Sequence, residues 1–163
     1  MLDRKLLEEL QHYVDTHLQL VFHEMNLYSS EERIISEEIQ NVEIEEFIKI
    51  KRQPAFNQTL FRHIDEKGLS DADVYKRAGM DRRHFSKIRT NPEYRPGKNT
   101  VVSLALALEL TKKETDTLLS SAGYSLSDSD TLDLVIQFCL EKKIYNFYDV
   151  NQALDYFSLK PLI

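Results

Sequence analysis

The sequence has few of the residues that interrupt helices or cross-link chains. Its 163 residues include no tryptophan, one cysteine, four glycines and four prolines. A lone cysteine, Cys139, excludes an internal disulfide, and so little Gly and Pro predicts long helices with few turns. No apolar run approaches the ~20 residues of a membrane-spanning helix, and the start, MLDRKLLEELQHY, lacks the apolar core of a signal peptide. We therefore expect a cytoplasmic protein without a membrane partner.

The charge is unevenly distributed along a chain whose formal net charge is -6. Residues 1–54 carry six Lys or Arg against twelve Asp or Glu, residues 55–110 carry ten against seven, and residues 111–163 carry five against eight. A positive segment between two acidic ones indicates where an anionic partner would bind, which the total charge conceals.

Before Pro54, apolar residues at helical spacing predict a helical extension. The stripe of the first helix, within LDRKLLEELQHYVDTHLQLVFHEM, consists of Leu6, Leu7, Leu10, Val14, Leu18, Val21 and Phe22. A second helix is expected in ERIISEEIQN, after an N-cap at Ser29 or Ser30. The segment VEIEEFIKIKRQP fits either a strand or a helix, and a helix is favoured.

From Ala55 onwards the pattern predicts five short helices in quick succession, followed by two more in SDTLDLVIQFCLEKK and FYDVNQALDYFS. VVSLALALEL is apolar nearly all round and should lie at the centre of the core. The boundaries follow from caps and turns at Gly68, Ser70, Gly79, Asp81, Thr100 and Thr111. The chain is therefore expected to be all-α.

The stretch LSDADVYKRAGMDRRHFSKIR, residues 69–89, has the spacing of a helix-turn-helix. A helix of about eight residues is followed by a turn at Gly79 and a second short helix. The apolar residues that can pack the two helices together are Val74, Met80, Phe85 and Ile88. This leaves Arg82, Arg83, Ser86 and Lys87 on the outward face. Arginines at the start of an exposed helix suit the DNA major groove, where Arg can bind guanine bidentately.

Residues 69–89, and more broadly 55–122, resemble the Cro/C1-type (XRE-like, lambda-repressor-like) helix-turn-helix domain. The resemblance implies a five-helix domain that binds double-stranded DNA, commonly as a homodimer on a palindromic site. It places the base-reading positions at Arg82, Arg83 and Lys87. Two positions depart from the family pattern: Asp71 stands where Gln is usual, and Tyr75 where a small residue is usual.

The predicted DNA-binding side chains extend beyond these base-reading positions. Ser86 lies on the same face and His84 can reach the DNA backbone, while Arg95 and Lys98 flank the Pro96-Gly97 turn, where loops of the family approach phosphates. The full predicted set is Arg82, Arg83, His84, Ser86, Lys87, Arg89, Arg95 and Lys98. The alternative interpretation of these charges is a solvated helix face, and Lys76 and Arg77 are expected only to pair with nearby acids.

Other features have simpler interpretations. The N-terminal helix either mediates dimerisation or covers the core, and a subunit interface is favoured. The aromatic C-terminal pair is expected to be core or interface, because it lacks interleaved basic residues. The five histidines form no recognisable metal site, Cys139 is expected to be buried, and no catalytic constellation or cofactor motif is present. We expect no enzymatic activity, metal or cofactor.

The sequence thus predicts an N-terminal helical extension (1–54), a Cro/C1-type domain (55–122) and a C-terminal helical pair (123–163). The leading functional hypothesis is a sequence-specific DNA-binding transcriptional regulator with a recognition helix at about 82–89. The alternative is a protein-interaction module of the same fold, a partner in a phage-defence or toxin–antitoxin system, that does not bind DNA.

Overall fold

The chain folds into α-helices joined by turns and short loops, and the prediction of long helices from the low Gly and Pro content is wrong for all described helices except the first. A computed structural model describes residues 2–28 and 41–162, with side chains placed for 2–20 and 41–162. The helices are α1 (Arg4–Tyr28), α2 (Asn41–Lys51), α3 (Phe56–Lys67), α4 (Asp71–Arg77), α5 (Arg82–Thr90), α6 (Lys98–Ala107), α7 (Lys112–Ser121), α8 (Thr131–Glu141) and α9 (Phe147–Tyr156). No strand occurs in the described ranges, so the predicted all-α class is confirmed.

Most helix ends lie where the caps predicted them. Gly68 ends α3 in the left-handed conformation, with φ 65°, which an L side chain adopts only under strain. Ser70 begins α4 by accepting a hydrogen bond from the Asp73 amide, and Asp81 begins α5 by accepting one from the Arg83 amide. Thr111 and Glu114 form the predicted capping box of α7.

Of two further predictions, the helix before Pro54 is confirmed and the start of α6 is wrong. The segment that fitted either a strand or a helix forms α2. The expected start of α6 at Thr100 is wrong by two residues, because the helix begins at Lys98 with Gly97 as its N-cap. Gly97 has no side chain with which to bond the first turn, so a search for Ser, Thr, Asp or Asn overlooks it. The predicted helix ERIISEEIQN and its cap lie outside the described residues, apart from Asn41.

The core is organised around α6, as its apolar sequence predicted. Every side chain from Val101 to Ala107 is buried. Helices α4 and α7 pack against α6, and α3 and α8 pack against α7. A helix buried on all sides has no polar face to leave in water, so its neighbours must enclose it.

The N-terminal helix α1 packs against α8. Leu10 and Val14, from the middle of its apolar stripe, join the same buried cluster as the side chains of α3–α9. The described part of this stripe therefore covers the core of its own chain. Within residues 2–28 and 41–162, no helix is long and apolar enough to cross a membrane.

A buried ion pair links the start of α6 to the start of α8. The Lys98 ammonium donates to Asp133 Oδ2 at 2.6 Å, and the Ser127 amide donates to the same oxygen at 2.8 Å. The Asp133 side chain is only 2% exposed, whereas that of Lys98 is 31% exposed. A buried carboxylate is costly without a cation, so Asp133 depends on Lys98. The pair therefore connects the predicted regions 55–122 and 123–163.

Replacing Lys98 with Met should lower the free energy of unfolding by about 3 kcal/mol, because it leaves the Asp133 carboxylate buried without its cation. Urea denaturation followed by circular dichroism measures this loss. The matched control is Lys112→Met, since Lys112 pairs with Asp116 at 3.0 Å in an exposed i,i+4 arrangement and should lose about 0.5 kcal/mol or less. Equal losses in the two variants would contradict the structural role of Lys98.

Candidate nucleic-acid interface

Helix α5 has one buried and one exposed face. Phe85 and Ile88 are 2% and 0% exposed and fix the helix to the core. The Phe85 ring lies edge-on to Phe61 of α3, with ring centroids 6.2 Å apart. The exposed face carries four of the predicted DNA-binding side chains, namely Arg82, Arg83, Ser86 and Lys87.

The two arginines that begin α5 keep their charge available. Arg82 and Arg83 are exposed, and neither forms an ion pair with the side chains that the structure describes. Their backbone is fixed by the Asp81 carboxylate, which accepts a hydrogen bond from the Arg83 amide at 3.0 Å. The start of α5 therefore presents two guanidinium groups from a well-defined backbone.

The carboxylate that departs from the family pattern is neutralised from within the motif. Arg89, at the end of α5, binds Asp71, at the start of α4, through two bonds: Nη2 to Oδ1 at 2.7 Å and Nε to Oδ2 at 2.6 Å. The Arg89 guanidinium also lies over the Phe61 ring, 4.1 Å from its centroid. The charge of Arg89 is thus used to compensate Asp71 and to fasten α5 to α4.

The second departure, Tyr75, is accommodated between the two helices of the motif. Its ring is partly buried and lies 5.7 Å from the Phe85 ring, at an interplanar angle of 51°. Val74 and Ala78, on the inner side of α4, are buried. The tyrosine therefore fills the outer part of the α4–α5 junction, while the small and branched residues form its inner part.

A tyrosine in the loop after α5 contacts two of the predicted DNA-binding side chains. Tyr94 Oη lies 3.0 Å from His84 Nε2, and the Lys87 ammonium lies over the Tyr94 ring, 4.3 Å from its centroid. These contacts order the side chains of His84 and Lys87 but leave Lys87 exposed to solvent. His84 is partly buried, and its ring connects α5 to the loop through the contact with Tyr94.

The two DNA-binding residues predicted around the Pro96-Gly97 turn, Arg95 and Lys98, have different partners within the chain. Arg95 is exposed, and its guanidinium packs so closely on Gly123 that a Cβ there would lie 3.3 Å from Nη1. Lys98 is paired with the buried Asp133, as described above. Of the two side chains, only Arg95 keeps a charge that a neighbouring carboxylate does not compensate among the described residues.

Two residues of this surface were missed by the sequence analysis. Thr90 is exposed and lies four residues beyond Ser86 on the same face, where its hydroxyl donates to the Ser86 carbonyl at 2.9 Å. The spacing of Arg82, Ser86 and Thr90 would have identified it. Tyr94 carried no such signal, because its contacts depend on how the loop folds back.

The described residues contain neither a cluster of metal-ligating side chains nor an exposed thiol. No group of three His, Cys, Asp or Glu side chains among them could hold a metal ion. Cys139 is buried, as predicted, and burial raises the pKa of its thiol to about 12, so it remains protonated and unreactive at neutral pH. His63 is also buried, and desolvation lowers its pKa.

The Asp71–Arg89 pair should contribute about 1 kcal/mol to stability, at the upper end for exposed pairs because the geometry is bidentate. A double-mutant cycle with Asp71→Asn and Arg89→Ala, measured by urea denaturation, isolates this coupling energy. The control cycle uses Arg4 and Glu8, whose side chains are 94% and 67% exposed and should couple by only a few tenths of a kcal/mol. Coupling no larger than in the control would show that the pair does not fasten α5 to α4.

Comparison with known proteins identifies no relative. No protein-family model, curated protein or solved structure matches the chain. The likeness to Cro/C1-type domains therefore stays a resemblance in the sequence.

Proposed function

We propose that the protein is a sequence-specific DNA-binding transcriptional regulator that inserts α5 into the major groove of double-stranded DNA. The observation that carries the proposal is the start of α5, where two exposed arginines form no ion pair within the described part of the chain. Two adjacent arginines with no ion pair, on a helix with helix-turn-helix spacing, favour an external anionic partner.

The dimensions of α5 are compatible with this role. Its nine residues form a helix about 13 Å long, and the major groove is about 12 Å wide and admits an α-helix. Arg82 and Arg83 are suited to bidentate contact with guanine, and Ser86 can donate to or accept from base edges. Thr90, whose hydroxyl proton is donated to the Ser86 carbonyl, can accept from them. Lys87, ordered by Tyr94, is suited to a phosphate or a guanine.

The surroundings of α5 determine how strongly DNA would be attracted. Compensation of Asp71 by Arg89 reduces the negative charge that would repel a phosphate from the start of α4, where Asp73 is the second carboxylate. Arg95 adds a positive charge in the neighbouring loop. Arg89 and Lys98 are instead assigned to internal ion pairs, so the proposed interface depends on fewer cations than the sequence predicted.

A second candidate function is a protein-interaction module that keeps the fold without binding DNA. It is favoured by the in-chain partners of four predicted DNA-binding side chains, His84, Lys87, Arg89 and Lys98. A surface whose basic groups already have partners gains less from releasing counterions on DNA. The two candidates differ in what the removal of Arg82 and Arg83 does.

Selection of bound sequences from a random duplex library at near-physiological salt tests the proposal. We expect the wild-type protein to enrich a palindromic sequence. The Arg82→Ala/Arg83→Ala variant should lose this enrichment, because a bidentate Arg–guanine pair is worth about 1–3 kcal/mol of discrimination. Its fold should be unchanged, since both side chains are exposed.

The matched control is Arg4→Ala/Arg62→Ala, which removes the same charge from two exposed i,i+4 pairs, with Glu8 and Glu66. This control should retain the enrichment. No enrichment by the folded wild-type protein would reject the DNA-binding proposal and favour the protein-interaction module. Equal loss in both double variants would show that net charge, rather than the start of α5, is responsible.

Asp71→Asn should increase the affinity for DNA several-fold, because it removes a negative charge from the start of α4 and frees Arg89 for a phosphate. One additional phosphate contact steepens the dependence of log K on log salt concentration by about 0.9. Fluorescence anisotropy across a salt series measures both quantities. Asp15→Asn, an exposed carboxylate on α1, should change neither by as much, and unchanged affinity in Asp71→Asn would contradict the role given to the pair.

A further inference from the structure

Helix α2 differs from every other described helix because none of its residues is buried. It carries large apolar side chains that are nevertheless exposed: Phe47 is 62% and Ile50 is 77% exposed. The complete set consists of Val42, Ile44, Phe47, Ile48 and Ile50. Contiguous apolar surface of this kind is unusual on a monomer and marks an interaction site.

The length of α2 makes the exposure more significant. An isolated helix shorter than about 12–15 residues is marginal in water, because nucleation is costly and few hydrogen bonds repay it. Helix α2 has 11 residues, and none of them is buried within the described part of the chain. Its helical form therefore calls for a partner that covers the apolar side chains.

Four of the five exposed apolar side chains of α2 share one broad face, and Val42 lies on the opposite side. Ile44, Phe47 and Ile48 are spaced i, i+3 and i+4, and Ile50 follows Phe47 by three residues, so all four lie on one side of the helix. Glu43 and Lys51 lie at the two ends of the same side, four residues before and four after Phe47. The face is thus apolar in the middle, acidic at one end and basic at the other.

The face of α2 is complementary to the same face of a second copy that runs in the opposite direction. If two copies pair antiparallel with Phe47 at the two-fold axis, Ile44 of one copy faces Ile50 of the other, and Glu43 faces Lys51. A parallel pair would instead place Glu43 against Glu43 and Lys51 against Lys51. Self-complementarity under a two-fold rotation is what an isologous dimer interface requires.

We infer that α2 is the contact surface of a homodimer in which two copies of the helix pair antiparallel about Phe47. The partner is a second copy of this chain, because the acidic and basic ends of the face match only in reverse order. The same order of charges also suits the dipole of a single helix, with Glu43 in the first turn and Lys51 in the last. The dipole does not account for the exposed Ile and Phe side chains, whereas pairing does.

The area that two α2 helices can bury limits the affinity expected for the dimer. A helix of 11 residues is about 16 Å long, and a pair of them buries less than the 1,200–2,000 Å² of a standard interface. The dimer should therefore dissociate in the micromolar range rather than the nanomolar range. This inference is independent of the proposed DNA binding, and it is tested without DNA.

Sedimentation velocity on the full chain, over micromolar to submillimolar concentrations, tests the inference. The wild-type protein should shift from monomer to dimer as its concentration rises. Phe47→Ala should raise the dissociation constant at least about tenfold, since an aromatic side chain at the centre of an interface carries much of the binding energy. Leu20→Ala is the matched control, because Leu20 is 57% exposed on α1, and it should leave the constant unchanged.

Charge exchange tests the antiparallel orientation. Glu43→Lys alone and Lys51→Glu alone should each weaken the homodimer, because each places like charges opposite one another. The double variant Glu43→Lys/Lys51→Glu should recover the wild-type constant. The thermal midpoint of the helical core should be unchanged in every variant, since none of the residues of α2 is buried.

Three results would overturn the inference. The first is a wild-type protein that remains monomeric throughout the concentration range. The second is a dimer as strong in Phe47→Ala as in the wild type, which would place the interface elsewhere. The third is a double charge variant no stronger than the single ones, which would exclude the antiparallel pairing of Glu43 with Lys51.

Discussion

Burial of α6 is the constraint on which the rest of the fold depends. A helix whose side chains from Val101 to Ala107 are all buried has to be enclosed by other elements. Helices α4 and α7 pack directly on it, and α7 in turn contacts α3 and α8. The position of α5 follows from this packing, because Phe85 and Ile88 are drawn into the core and the opposite face is left outward. Arg82 and Arg83 are thus exposed because Phe85 and Ile88, on the opposite face of the same helix, are buried in the core.

The electrostatics of the surface around α5 cannot be obtained by counting charges. The sequence places six basic residues between Leu69 and Arg89, yet the structure assigns Arg89 to Asp71 and, further along, Lys98 to Asp133. An ion pair removes a cation and an anion from the field that an approaching polyanion experiences. At the start of α5, Arg82 and Arg83 form no ion pair with the described residues, so their charges contribute fully to that field.

Local signals in the sequence predicted most of the helix ends, because a cap is a contact between near neighbours. Ser70, Asp81 and Thr111 each bond an amide two or three residues away, and the pattern that produces this bond is visible in the chain. Contacts between residues far apart in the chain have no comparable pattern in the sequence. Asp71 finds Arg89 eighteen residues away, and Tyr94 reaches His84 only because the loop turns back. The exposure of α2 was equally hidden, because its apolar side chains resemble those of a buried helix until the packing of the others is known.

The ion pair between Lys98 and Asp133 has a consequence for how the chain can be divided. By sequence, a boundary near residue 122 separates the helix-turn-helix region from the C-terminal pair. By contact, the first residue of α6 is held by a carboxylate of α8, and α8 also covers α7 and α1. A fragment ending at that boundary would lose the counter-ion of Lys98 and bare the apolar surfaces that α8 covers. A fragment that keeps the packing around α5 therefore has to include α8, beyond the boundary that the motif alone would suggest.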